Sequence, residues 1–135
     1  MKGQASIEFV GVVGIALVLA TPFVVEAQDS MIDLAISSED ANFQSEINQL
    51  GETVDQVAAS GEKSQQTVEF QVPGNIETVY SQQQALIFTQ ARGEQKKNFS
   101  TSFDTDINST DIPTDQGIYE LNIEYLNETA QIYPE

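Results

Sequence analysis

The sequence predicts an α+β fold, a long N-terminal helix followed by a small antiparallel β-sheet head domain, and three observations carry that expectation. From Phe9 to Val25 the chain reads FVGVVGIALVLATPFVV without one charge. From Ile36 to Val57 apolar residues recur at helical intervals, and after Gly61 they alternate instead. A chain of 135 residues accommodates one small domain with an extension, and is too short for a multidomain enzyme.

The helix is read from Gln4 to Ser60. Its apolar part, residues 9–25, would measure about 26 Å, slightly under the roughly 30 Å of a bilayer's hydrocarbon core unless Ile7 and its neighbours contribute. Residues 28–60 are amphipathic: Ile36, Phe43, Ile47, Leu50, Val54 and Val57 follow at intervals of seven, four, three, four and three, a seam that needs a partner surface. Ser60-Gly61 supplies a stop, with glycine just past the helix end. One continuous rod of these residues would run on the order of 86 Å. Pro22 frees the Val18 carbonyl, so a kink or local melting is expected there. Gly11, Gly14 and Gly51 weaken the helix further, although small residues in a lipid-embedded segment also permit close packing.

From Gly61 to Glu135 the pattern is that of strands. Thr67 to Val72 alternates, Pro73-Gly74-Asn75 reads as a turn, and Ile76 to Tyr80 follows. Ala85 to Ala91 is a third strand, Arg92-Gly93-Glu94 a turn, and Asn98 to Phe103 a weaker fourth. Tyr119, Leu121, Ile123 and Tyr125 alternate with polar residues, and Asn127-Glu128 turns the chain into a last strand ending near Tyr133. The economical topology for these five or six strands is an antiparallel meander. Packing one face of it on the helical seam would complete a core too small to stand alone.

Composition narrows the chemistry. Cysteine and histidine are absent, which removes thiol nucleophiles, imidazole bases, disulfides and the usual zinc sites. Twenty-one acidic residues against five basic ones give a net charge of −16, so phosphate backbones and anionic membranes repel the chain. No nucleic-acid partner and no cofactor are expected. The acids sit at ordinary solvated positions, and nothing in their arrangement points to an active site.

The N-terminus is the most informative stretch. MKGQASIEFVGVVG places one base, Lys2, before a Gly3-Gln4 junction, then a lone acid, Glu8, directly before the apolar run. Gln4, Ala5, Ser6, Ile7, Glu8 and Phe9 form a Q-x-S-x-E-F motif that resembles the processing segment of archaeal type IV pilins. The resemblance is specific over about the first 25 residues and architectural beyond them. It implies a leader of residues 1–3, removed between Gly3 and Gln4 by a membrane prepilin peptidase. It also implies a helix that is stored in the membrane and later forms a filament core. The further partners are other copies of the chain, an assembly ATPase and a platform membrane protein, and the product is a surface filament used in adhesion.

The physics of that arrangement stands without the family. A carboxylate bordering an apolar helix is costly when unpaired, so Glu8 calls for a donor from another chain. Cleavage creates such a donor in the new amine of Gln4, and Ser6 and Phe9 lie beside it in the same assembly segment. If Gln4 cyclises to pyroglutamate the amine is lost, and hydrogen bonds would hold Glu8 instead of an ion pair. Two plainer readings compete: a secretory signal peptide cut after Val25-Glu26-Ala27, and an uncleaved single-pass anchor with Lys2 inside. An acid between the base and the apolar run is unusual in a signal peptide. Within the filament reading, a minor pilin or pseudopilin is the alternative to a main subunit. A monomeric anchored surface-binding protein is the alternative outside it.

Three N-x-S/T sequons, at Asn98, Asn108 and Asn127, exceed the roughly one that chance predicts; all three are expected in or beside turns, where a glycan could be accommodated, and glycosylation of at least one is expected. Asp104 to Asp115 loosely follows the ligand spacing of a calcium loop. Ser109 stands where the sharp-turn glycine belongs and Asp115 where the bidentate glutamate belongs, so the segment is read as a polar loop without metal. Lys96-Lys97 is read as a solubilising turn. Tyr119, Tyr125 and Tyr133 could form an adhesive surface, but alternation assigns the first two to the sheet core.

Overall fold

The computed structural model describes residues 2–135; Met1, the first residue of the expected leader, lies outside the described residues. Helix α1 runs from Lys2 to Ala59. The helical backbone continues through Pro22, so the expected local melting does not occur. Just before the proline, Thr21 donates its hydroxyl to the Leu17 carbonyl at 2.9 Å. The helix stops as its last residues dictate: Gly61 takes φ 97°, open to glycine alone without strain, and its amide bonds back to the Ala58 carbonyl at 3.2 Å.

Seven strands follow among the described residues: β1 (Gln65–Val72), β2 (Ile76–Gln82), β3 (Ala85–Arg92), β4 (Gln95–Ser102), β5 (Asp106–Ser109), β6 (Gly117–Leu126) and β7 (Thr129–Pro134). The expected α+β architecture, one long N-terminal helix followed by a small sheet domain of pilin-like kind, is the one observed. Its strand pairing is not a meander. The strands form two sheets, ordered β1-β6-β7-β5 and β2-β3-β4. Pro73-Gly74-Asn75 is therefore a crossover between sheets and not a hairpin turn; β1 pairs with β6, Phe70 opposite Tyr119. Nor is the pairing wholly antiparallel, because β5 runs parallel to β7. That strand lies inside the segment read as a polar loop, and Ile107, its one apolar residue, is buried. Lys96 and Lys97 lie on β4 instead of in a turn, and the turn before them is the expected one, with Gly93 at φ 60°.

Two compact units divide the chain, one reaching to Asp40 and the other Ala41–Glu135. In the second, the seam residues Phe43, Ile47, Leu50, Val54 and Val57 are all buried, against strand residues such as Phe70, Leu86, Phe88, Leu121 and Ile123. Phe43 ties the helix to both sheets. Its ring meets Phe99 edge-on at 4.9 Å and Phe88 at 5.4 Å, and Phe70 lies 6.2 Å away. Gly51 lets the helix approach β4, since a Cβ built there would stand 2.9 Å from Thr101 Oγ1. Gln44 Nε2 donates to the Ser100 carbonyl of β4 at 3.2 Å, and Asp55 Oδ1 accepts the Asp104 amide at 3.0 Å. These contacts satisfy backbone groups at and just beyond a sheet edge that would otherwise be open.

Candidate functional site

The unit that reaches to Asp40 carries the motif residues. Gly3, Gln4, Ser6, Glu8 and Phe9 all lie on α1 and all are exposed. The apolar run behind them is exposed on every side of the helix: Val12 and Val13, Leu17 to Leu19, and Phe23 to Val25 are open without a gap. An amphipathic surface helix shows one apolar stripe, whereas a helix apolar all round belongs in lipid or in the middle of a bundle. The segment is long and apolar enough to cross a membrane, and none of its most apolar window is buried. Exposure of large apolar side chains continues past the expected limit of Val25 to Met31, Ile32, Leu34 and Ile36. Ile36, placed first in the seam, is thus outside the buried stripe, which begins at Phe43.

Glu8 is the only carboxylate between Lys2 and Val25. One helical turn away on either side stand Gln4, Ala5, Gly11 and Val12, none of which carries a positive charge. Among the described residues no hydrogen bond or ion pair engages its side chain. Around Gly3, Gly11 and Gly14 an added Cβ would meet nothing within 4 Å, so the packing of this chain does not require glycine at those positions. The arrangement offers an apolar cylinder whose side chains lie open and one exposed carboxylate at its N-terminal border.

The remaining sequence-derived candidates lie in the strand domain. Asn98 is in the middle of β4, where its Oδ1 accepts the Thr89 hydroxyl at 3.0 Å, and not near a turn. Asn108 is on β5 and donates through Nδ2 to Gln131 Oε1 at 3.1 Å. Asn127 lies in the two-residue turn between β6 and β7 as expected, with φ 54°, followed by Glu128 at φ 62°. No cluster of three or more acidic side chains suited to a metal ion occurs among the described residues. Tyr119 and Tyr125 pack against the core as alternation assigned them, and the Tyr133 hydroxyl donates to Glu124 Oε2 at 3.4 Å. Lys96 reaches Glu77 across the sheet at 2.8 Å, and Lys97 Nζ stands 5.3 Å from the centre of the Phe99 ring.

Two features escaped sequence reasoning. Gly51, a helix weakener by propensity, follows Ile47 by four residues and precedes Val54 by three, which puts it on the buried face. Glu62, just past the helix, accepts the amides of Asn127 and Glu128 with its two oxygens, each at 3.1 Å. No local pattern could have revealed that contact, because it joins residues more than 60 positions apart. Compared with protein-family models, with curated proteins and with solved structures, the chain matches none.

Proposed function

We propose that this chain is a structural subunit of a type IV pilus-like surface filament. A prepilin peptidase would release residues 1–3, and the new chain starting at Gln4 would polymerise through α1. One observation carries the reading: a helical segment, residues 9–25, apolar on all sides and bordered at its N-terminal end by a single carboxylate without a partner among the described residues. Burial in lipid before assembly, and against the helices of other copies afterwards, removes that surface from water. Glu8 would then take a donor from the neighbouring copy's N-terminus and set the axial step between subunits. The proposed cut falls after Gly3, where an added Cβ would meet nothing within 4 Å, so the packing of this chain does not itself call for glycine there. The strand domain would face outward on the filament and serve adhesion, and the assembly ATPase and platform protein would drive extrusion.

Mass spectrometry of sheared surface filaments tests this. The expected chain starts at Gln4 or its pyroglutamate form; filament chains starting at Met1, Lys2 or Gln28 would refute it. Gly3→Val should block processing, whereas Glu8→Val should permit processing and impair polymerisation. Recovery of the chain only in membranes after shearing would favour the anchored monomer, and trace abundance within filaments a minor pilin.

A further inference from the structure

We infer that Asn127 is the sequon of this chain that accepts an N-linked oligosaccharide in the folded protein, and that Asn98 and Asn108 do not. All three sites satisfy the N-x-S/T pattern, and they are unequal in structure. Transfer needs the side-chain amide nitrogen to reach a donor, and the three-residue sequon to fit an enzyme's groove without dismantling the fold.

At Asn98 the middle residue of the sequon is Phe99, buried in the aromatic cluster and edge-on to Phe43 at 4.9 Å. Lifting Asn98-Phe99-Ser100 from β4 would break the pairing with β3 and expose that ring. It would also break the Gln44 bond to the Ser100 carbonyl. At Asn108 the nitrogen that must react is already donated to Gln131 Oε1 at 3.1 Å. The flanking residues are held as well, since Ile107 is buried and the Thr110 amide bonds the Ile132 carbonyl at 2.9 Å.

All three asparagines are exposed, but only at Asn127 is the middle residue, Glu128, exposed as well, at the tip of a tight turn, and no hydrogen bond engages the Asn127 side-chain amide among the described residues. The sequon's third residue is at hand, with the Thr129 hydroxyl 3.5 Å from the Asn127 carbonyl. The turn is held from outside the hairpin by the Glu62 carboxylate, which binds the backbone amides and leaves the Asn127 side chain clear. Opening this tip releases those contacts and the last rung of the hairpin, where opening of an interior strand would release core. In the reaction Asn127 Nδ2 forms a bond to the anomeric carbon of a lipid-phosphate-linked oligosaccharide. The bond from that carbon to the phosphate oxygen breaks, the lipid phosphate leaves with the electron pair, and one amide proton is lost to a base.

In the cell the modification rests on the outward placement given under Proposed function, so the test removes that dependence. The unglycosylated full chain, in detergent micelles, is incubated with a single-subunit oligosaccharyltransferase that reads N-x-S/T and with its lipid-linked oligosaccharide. Synthetic peptides covering each sequon serve as acceptor controls. We expect one glycan mass per chain, mapped to Asn127 by peptide mass spectrometry and lost in Asn127→Gln, while Asn98→Gln and Asn108→Gln keep it. Transfer to Asn98 or Asn108 on the folded chain would overturn the inference. So would an unmodified chain when the Asn127 peptide is accepted.

Discussion

At Gly51 the absence of one methyl group decides how close the helix comes to β4. An alanine Cβ would meet Thr101 Oγ1 at 2.9 Å, and the hydroxyl of a β-branched side chain has little room to retreat. Gly51→Ala should therefore destabilise the strand domain by about 1–3 kcal/mol through overpacking, despite alanine's better helix propensity. Urea unfolding of Gly51→Ala, Thr101→Ala and the double variant measures it. The double variant is expected to be more stable than the two single losses sum to, because removing the hydroxyl makes room for the methyl. Glu120 gives a pH-dependent counterpart. Its hydrogen bond and charge repulsion with Glu135 raise its pKa above the ordinary glutamate value of 4.5, and Glu69 stands directly opposite on β1. A raised acid pKa means that the folded state holds the proton more tightly. The contribution is complete below pH 4.5 and is lost as pH rises through the raised value, where both carboxyls carry charge. Glu120→Gln keeps a donor for Glu135, so it should flatten the fall in Tm between acid and neutral pH and raise Tm at neutral pH. An unchanged pH profile would remove this pair as a cause.

At the scale of elements, the last turns of α1 depend on what the strands offer them. Phe43 touches three phenylalanines from two sheets, so Phe43→Ala should cost about 3–5 kcal/mol in urea unfolding followed by far-ultraviolet circular dichroism. The helix was legible because its signals are local: an apolar run, a spacing of three and four, and a glycine stop. Six strands were legible for the same reason, through alternation bounded by turn residues. Their pairing was not. Alternation states which face of a strand is buried and is silent on its neighbour, so a proline-glycine turn passed for a hairpin where the chain in fact changes sheets. Strand β5 escaped because Asp106, Asn108 and Ser109 favour loops; its extended form is imposed by β7 alongside and by the Ile107 amide bonding the Gln83 carbonyl at 2.9 Å.

For the whole molecule, the two units differ in where their apolar side chains lie. Residues Ala41–Glu135 contain every buried apolar residue among those described, and residues up to Asp40 contain none. A chain cut to Ala41–Glu135 is expected to be monomeric in water without detergent and to keep the strand signal in circular dichroism. The full chain is expected to need detergent or to associate, and size-exclusion chromatography compares them. Loss of folding in the shorter chain would mean that the apolar helix supports the strands. The net charge, −16 for the full chain and −11 for Ala41–Glu135 with its fifteen acids and four bases, resists compaction of either form, so Tm should rise as added salt shortens the Debye length from about 30 Å at 0.01 M to about 8 Å at 0.15 M. Sequence alone determined the helix and its uncharged run, the lone Glu8, six of the strand-forming segments and the chemical poverty of a chain without cysteine or histidine, since each follows from composition or from spacing within a few residues. Only the tertiary structure decided that the strands divide into two sheets, that Gly51 is a contact and not a flaw, and that one sequon of three stands clear of its neighbours. Those outcomes depend on groups distant in the chain competing for the same hydrogen bonds and the same space, which no short stretch of sequence records.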